Sequence, residues 1–371
     1  MDRRTFLRRA AGSGVLLAGA ESGGLLAACA ELGTGVATAQ ATRGLLRVPP
    51  VLGMDGLSLT ASRATAEVAP GVMSPVWSLG EAAASGATLQ IRRGGRARVD
   101  LRNRLDEPTI VHWHGLRPPE ASDGHPRLAI GPGESYAYDF EVNEPAGLYW
   151  YHPHPHMRTA PQTYMGMAGL IVVRDDQEDA LGLPDGTREI PLLLQDKRLD
   201  GGGAIVYAPV GHDRMEGYLG DVAFVNGVRS PAVEVETALY RLRVLNGSNA
   251  RIFRLGRSDG RPMVLIGSDG GFLAAPVEVP WVELGTGERV DLLVDFSDAP
   301  VGSRVSLLSL PFSSPAGMGG MGMGMGGMGR GGGAAQGAQM DLVEFAVARQ
   351  ASDAGAIPTS LPGAAAPSPA D

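Results

Sequence analysis

Two pairs of histidines carry the clearest chemical information in this sequence. His112 and His114 flank Trp113, and His152 and His154 flank Pro153 further along the chain. In an extended strand, residues i and i+2 point to the same face, so each pair presents two imidazoles side by side. Two such strands placed together offer four nitrogen ligands to a small metal cluster, and imidazole suits copper, zinc, iron and nickel. The alternative for each pair is a set of ordinary surface or core histidines.

The composition limits the class of protein. The chain has 371 residues, enough for two domains with separate cores, and its 44% hydrophobic and 19% charged content is typical of a globular protein. A net charge of -8 argues against general nucleic-acid binding. The sole cysteine, Cys29, excludes an intrachain disulfide framework and leaves no thiolate later in the chain for a blue-copper centre.

Residues 1–39 predict an export signal. The run from Asp2 to Arg8 resembles the twin-arginine consensus, and a weakly apolar stretch follows it. A membrane anchor is the alternative, but Glu21 and several glycines interrupt the run well short of the roughly 18 apolar residues that a span needs. Cleavage is expected after Ala37-Thr38-Ala39, just before the first folded segment. Alternatively, Leu26-Ala27-Ala28-Cys29 resembles a lipobox, and cleavage there would make Cys29 the lipidated first residue. The expected location is therefore the periplasm, as a free protein or a lipoprotein.

The rest of the chain predicts an all-β fold. Short apolar or alternating runs are separated by Gly, Pro and Asp, and no long stretch has helical period. The clearest of these expected strands are 88–91, 97–101, 136–140, 169–173, 189–194, 240–245, 263–266, 290–296 and 342–347. This spacing is typical of a β-sandwich or barrel, and two similar β domains in tandem are the simplest account.

The expected domain boundaries follow changes in composition. The first domain spans residues 45–175 and contains both histidine pairs, and an acidic segment links it to a second domain at 188–349. Within the second domain, residues 317–329 are rich in methionine and glycine, which cannot hold a packed element. Residues 350–371 form an Ala/Pro-rich tail that reads as a linker.

With these residues in view, the chain resembles bacterial multicopper oxidases, most of all the periplasmic copper-efflux (cuprous) oxidases. The resemblance rests on His112-Trp113-His114-Gly115 and Trp150-Tyr151-His152-Pro153-His154. It implies tandem cupredoxin-like Greek-key sandwiches and the oxidation of Cu(I), phenols or metals, coupled to reduction of O2 to water. It also implies that His112 binds the type 2 copper, and that His114, His152 and His154 bind the type 3 pair.

One part of the family pattern has no counterpart in this sequence. The family has a third cupredoxin domain, whose His-x-x-His-x-His and His-Cys-His motifs supply the remaining trinuclear ligands and the type 1 copper. The other histidines here, His125, His156 and His212, cannot rebuild that set. We therefore expect half of the trinuclear ligands in this chain, and a separate chain or missing segment that carries the third domain.

Asp123 is the candidate catalytic residue. The resemblance implies an acid near the trinuclear site that helps protons reach bound oxygen, whereas the alternative is an ordinary turn Asp before Gly124. The family usually has glycine where His125 stands. His156 extends the second pair but matches no ligand position, so its expected role is structural.

Five methionines between Met318 and Met328 have two interpretations. Thioether sulfur is soft and selects Cu(I), so this segment could bind or relay cuprous ions. The alternative is a flexible low-complexity insertion.

Three functions remain open from the sequence. The first is the N-terminal part of a multicopper oxidase, and the second is a non-enzymatic periplasmic copper-binding protein. The third is a structural cupredoxin similar to the cell-division relative that has lost its coppers. The retained histidine pairs argue against the third.

We predict that the purified mature chain, loaded with copper, lacks the intense thiolate-to-copper absorption of a blue site, because its only cysteine lies in the export segment. The visible absorption spectrum checks this. Appearance of that band in the mature chain would show that the reasoning from cysteine is wrong.

Overall fold

The N-terminal half of the chain contributes two sheets. The computed structural model describes residues 43–80, 84–313 and 333–363. Up to residue 174 the strands are β1 (Val51–Gly53), β2 (Asp55–Ala69), β3 (Val72–Leu79), β4 (Thr88–Arg92), β5 (Gly95–Asn103), β6 (Val111–His114), β7 (Ser135–Val142), β8 (Gly147–Pro153) and β9 (Gly169–Arg174). One sheet has the order β1-β4-β9-β8-β6 and the other β3-β2-β5-β7, so consecutive strands alternate between the two sheets at several points.

The C-terminal half repeats this two-sheet plan. Its strands are β10 (Glu189–Leu199), β11 (Ile205–Val206), β12 (Val222–Val225), β13 (Val228–Arg229), β14 (Ala232–Glu236), β15 (Leu239–Asn246), β16 (Phe253–Arg257), β17 (Met263–Ser268), β18 (Gly271–Val279), β19 (Val282–Leu284), β20 (Arg289–Asp295), β21 (Arg304–Ser309) and β22 (Met340–Arg349). The first sheet runs β13-β12-β10-β15-β20-β17-β18, with β11 paired to β10. The second runs β14-β22-β21-β16-β19.

The helices are short and lie between strands. They are α1 (Thr159–Tyr164), α2 (Asp176–Asp179) and α3 (Gly211–Glu216), and single 3-10 turns span Glu120–Ser122, Pro126–Leu128 and Gly186–Arg188. Among the described residues, no helix has both the length and the apolar character needed to span a membrane.

Each half has its own apolar core between its two sheets. In the N-terminal half Leu59, Val99 and Trp113 lie in one cluster, and in the C-terminal half Leu242, Leu292 and Phe345 lie in another. A further cluster joins the sheet that contains β8 and β9 to the sheet that contains β10 and β15. These two sheets, one from each half, are called the inner sheets. The cluster includes Leu148, Trp150, Leu170, Leu193 and Leu245. Strands β8 and β15 are consequently buried along both faces, although β15 carries the charged residues Arg241 and Arg243 between its apolar ones.

The expected all-β fold is confirmed, and every strand expected from the sequence is present. The boundaries 45–175 and 188–349 stay a prediction. The export signal with Cys29 and the Met-rich segment 317–329 lie outside the described residues. In the tail, Leu361 is buried against the cluster that contains Val264 and Phe272.

A buried ion-pair network ties the end of β9 to the inner sheet of the C-terminal half. The Arg241 guanidinium donates to Glu178 at 2.7 Å and to Asp291 at 2.5 Å. Arg243 donates to Glu178 and Glu189, and Arg174 bonds to the same two carboxylates. Arg241 and Arg243 are almost fully buried, so their charges depend on these partners.

Within this network, ionisation of Glu189 makes the free energy of unfolding depend on pH. Burial opposes its ionisation, but the charges of Arg243 and Arg174 outweigh burial and lower the pKa of Glu189 from 4.5 to about 2. Because the folded pKa lies below the unfolded one, ionised Glu189 contributes its full stability above about pH 4.5 and loses it as the pH falls toward 2. We predict a loss on the order of 3 kcal/mol from this residue across that window.

Denaturant unfolding of wild type and Glu189→Gln from pH 7 to pH 2.5 checks the prediction. The variant should be less stable at pH 7 by about 3–5 kcal/mol, because the buried Arg243 and the partly buried Arg174 lose a partner, and its stability should fall less steeply below pH 4.5. Glu234→Gln, at an exposed site on β14, is the matched control and should follow wild type. Parallel acid curves for wild type and Glu189→Gln would contradict the proposed linkage.

Candidate metal centre

The register between β6 and β8 brings the two histidine pairs together. These strands are antiparallel neighbours, with His112 directly opposite His152 and His114 opposite Trp150. Side chains alternate between the two faces of a strand, so Trp113 and Tyr151 point the other way, into the core of the N-terminal half. His154 follows the end of β8, and its amide donates to the carbonyl of Ile110 at 2.8 Å. The four rings therefore share one face.

His112 lies at the centre of this group. Its ring centroid is 5.7 Å from that of His114, 5.4 Å from that of His152 and 5.3 Å from that of His154. Ring nitrogens of His112, His114 and His152 all lie within 4.8 Å of one another. The sequence predicts four imidazoles on one face, and their role as metal ligands stays a prediction.

Backbone carbonyls set which nitrogen of two rings is free. His112 Nδ1 donates to the carbonyl of Asp123 at 2.7 Å, and His152 Nδ1 donates to the carbonyl of Pro153 at 2.9 Å. In both rings Nε2 then carries the lone pair. His114 differs, because its Nδ1 faces the group and lies 3.3 Å from His152 Nε2.

Burial keeps the inner rings neutral. It lowers the pKa of His152 to about 3 and that of His114 to about 4, and in His114 the positive charge of Arg289 acts in the same direction. Burial also lowers the pKa of His154. A lowered pKa leaves an imidazole uncharged at neutral pH, so each of these three rings has one N–H group and one nitrogen with a free lone pair.

Asp123 lies where the sequence placed it, beside the cluster. Its carboxylate Oδ1 is 3.2 Å from His112 Nδ1, and its side chain is 40% exposed. It therefore lies beside the histidine group and is accessible to solvent. The turn that carries it covers the free edge of β6. Gly124 has φ +73°, and a Cβ there would lie 1.9 Å from the carbonyl oxygen of Val111. Only glycine fits this approach.

Of the remaining histidines, His125 and His156 have described side chains, and neither makes a ring contact with this group. His125 is exposed, and its Nδ1 accepts a hydrogen bond from the amide of Arg127 at 3.2 Å, which caps a 3-10 turn. His156 is exposed beyond the second pair. His212 belongs to α3, but its side chain lies outside the description.

The four histidines line a cavity of about 410 Å³ that both halves of the chain build. The N-terminal half adds Trp150, Thr159, Ala160 and Thr163, and the C-terminal half adds Gly247, Ser248, Asn249, Thr286 and Gly287. Sequence reasoning missed all of these residues as site components. Only Trp150 had a usable signal, because it stands two residues before His152.

Trp150 holds two of the rings from one side. Its indole is 4.2 Å from the His152 ring and 4.9 Å from the His114 ring, with interplanar angles of 33° and 32°. It is 6% exposed, and its Nε1 has no hydrogen-bond partner among the described residues. The stacked indole limits rotation of both imidazoles.

Comparisons with known proteins now identify the family. A family model described as multicopper oxidase matches residues 60–178. The McoA multicopper oxidase of Aquifex aeolicus is 36% identical, with a TM-score of 0.75 over 89% of this chain and 70% of that one. The chain belongs to the multicopper oxidase family. Its expected cupredoxin-like fold is thereby confirmed.

Other similar proteins have names that indicate different functions. The laccase-like CueO of Ochrobactrum sp. is 33% identical, with a TM-score of 0.74 over 87% of this chain and 68% of that one. The cell division protein FtsP of Escherichia coli K12 is 37% identical over 71% of this chain and 55% of that one, and FtsP of Xenorhabdus nematophila is 42% identical over 57% and 45%. The chain spans about half the length of these curated relatives.

Membership of the multicopper oxidase family implies copper as the cofactor, and the donor set fits it. Four imidazoles, three with lowered pKa values, face one cavity, and imidazole is a suitable ligand for copper. The residues that would hold copper are His112, His114, His152 and His154.

We predict that Gly124→Ala disrupts the His112 end of the site. The added methyl would collide with the Val111 carbonyl and with His112 Cα, which is 2.8 Å from the Cβ position. The turn must move, and the carbonyl of Asp123 moves with it. Unfolding stability should fall by about 3 kcal/mol or more, and copper binding should weaken.

Gly133→Ala is the matched control. Gly133 has φ +83°, similar to Gly124, but no atom lies within 4 Å of its Cβ position, so only the backbone strain of about 1–2 kcal/mol applies. Thermal unfolding and copper titration separate the two variants. Equal losses in both would show that close packing on β6 is unimportant.

Proposed function

We propose that this chain is part of a copper-dependent oxidoreductase and contributes to the site that reduces O2. In this proposal His112, His114, His152 and His154 bind copper. The observation that carries the proposal is the convergence of four imidazoles on one cavity. When bound, copper would supply one-electron redox chemistry coupled to reduction of O2 to water. Cu(I) or a small phenol is the proposed reducing substrate.

The spacing of two ring nitrogens supports a shared ion. His114 Nδ1 and His152 Nε2 are 3.3 Å apart. Two nitrogens that bind one ion through bonds of about 2 Å at a near-tetrahedral angle lie about 3.3 Å apart. Pro153 and Asp123 fix the rings of His152 and His112 through their carbonyls, which is the usual way in which a metal-binding histidine is oriented.

Asp123 is proposed to carry protons to the site. Its Oδ1 lies 3.2 Å from His112 Nδ1, while its partial exposure lets it exchange protons with water. Oxygen reduction consumes protons, and a carboxylate beside His112 can serve as a proton carrier.

The proposal also includes a second polypeptide segment. Four histidines supply half of the ligands of a trinuclear copper site in this family, and the chain covers 45–55% of its first curated relatives. The cavity that the histidines line is the place where a third cupredoxin domain would complete the set. Export by the twin-arginine route and Cu(I) binding by the Met-rich segment 317–329 remain part of this proposal.

We predict that replacing His112 and His154 together with alanine removes most tight copper binding, because two of the four donors are lost. His212→Ala, outside the ligand set, is the control and should bind copper as wild type does. Copper-to-protein ratios after dialysis check this. Equal ratios in the two variants would refute the ligand assignment.

An oxygen electrode extends the same test to activity. Wild type with Cu(I) or a phenol should consume O2 steadily only after a third cupredoxin domain is added, and the double variant should not. Sustained turnover by the purified chain alone, abolished in His114→Ala, would show that the half-site suffices.

A second candidate is a role in cell division, favoured by 37–42% identity to proteins named FtsP. Such a role would not require copper ligands. Complementation of a strain that lacks this protein distinguishes the two: the double histidine variant should restore normal division only if the division role is correct.

A further inference from the structure

One guanidinium joins three segments immediately behind His114. Arg289 is the first residue of β20 and is 5% exposed. Its Nε donates to the carbonyl of Leu148, in the strand that carries His152, at 3.1 Å. Nη1 donates to the carbonyl of Gly287 at 3.1 Å, and Nη2 donates to the carbonyl of Asp269 at 3.0 Å. A planar group thus links β8 to two turns of the C-terminal half.

Two glycines, Gly287 and Gly115, connect the Arg289 guanidinium to the His114 ring. A Cβ at Gly287, where φ is +78°, would lie 3.5 Å from His114 Cε1, 3.8 Å from His114 Nε2 and 3.7 Å from Trp150 Cζ2. A Cβ at Gly115 would lie 2.9 Å from Arg289 Nη2. The Gly287 turn therefore covers the outer edge of the ring, and Arg289 supports the backbone just after it.

We infer that Arg289 is a positioning residue for His114. Through the Gly287 turn it holds the imidazole with Nε2 outward and Nδ1 toward His152 Nε2. The inference rests on the proposed copper site, because the orientation matters only if His114 is a ligand. It also makes the C-terminal half a structural part of a site whose histidines all belong to the N-terminal half.

Lysine cannot replace this arrangement. Arginine presents its N–H donors in a rigid planar fork, so three carbonyls in different directions are bonded at once. An ammonium group is a compact point charge on a flexible stem and cannot occupy all three positions together. Arg289→Lys keeps the positive charge near His114 while it removes the fork.

The experiment compares Arg289→Lys, Gly287→Ala and a control, Arg257→Lys, in the full chain. Arg257 is also buried, and its guanidinium bonds to Asp259 and to the carbonyl of Asp295. Imidazole ¹⁵N spectra of the metal-free proteins report which nitrogen of each histidine is protonated, and competitive titration with a chelator gives copper affinity. Thermal unfolding establishes that each variant is folded.

We expect Arg289→Lys to change the ¹⁵N signals of His114 while those of His112 stay unchanged, and to weaken copper binding about 10–100-fold. Gly287→Ala should change the same ring, and it carries the test if Arg289→Lys does not fold. Arg257→Lys should match wild type in both measurements.

Wild-type His114 signals in both folded site variants, with unchanged copper affinity, would overturn the inference. An equal change at His112 and His114 would also overturn it, because the effect would then be general loosening. Failure of wild type to bind copper would instead remove the proposed function, while the ¹⁵N spectra of the metal-free proteins would still decide the role of Arg289.

Discussion

The register between β6 and β8 is the constraint on which the site depends. His112 faces His152 across the pair, and alternation then places Trp113 and Tyr151 on the opposite face, in the core. A slip of one residue would bring the histidines into the core and expose Trp113, which is fully buried. Packing of two aromatic side chains on one face of the strands thus fixes the position of the imidazoles on the other. The arrangement of the four imidazoles is a consequence of hydrophobic burial.

The same strands also lie at the junction between the two halves of the chain. Strand β8 is buried on both faces because the inner sheet of the C-terminal half covers the side away from its own core. Charged groups within this junction are paired: Arg241 and Arg243 with three carboxylates, and Arg289 with backbone carbonyls and Asp269. Unpaired, each would carry a desolvation cost of several kcal/mol. The pairs therefore make the docking of the two halves specific as well as stable.

Family membership and the site geometry constrain the function in different ways. Similarity to McoA and CueO connects the chain to copper oxidases, and similarity to FtsP connects it to cell division. The fold alone does not distinguish these functions, because proteins with the same fold can have unrelated activities. The side chains of the site must distinguish them. Here four imidazoles share a cavity, two of them oriented by carbonyls, and this arrangement has a clear use in metal binding.

The sequence by itself determined the all-β class and the nine strands expected above, and it singled out the four histidines and Asp123 as candidates. These depend on short-range rules: alternation along a strand, and two residues of spacing between side chains on one face. Only the tertiary structure brought Arg289 and Gly287 to His114, stacked Trp150 on two rings and closed the cavity with Ser248 and Thr286. Apart from Trp150, which stands two residues before His152, these residues have no distinctive type or spacing, and their role comes from the docking of two sheets that are distant in the chain. Contacts of that kind are set by packing between sheets, which no local pattern records.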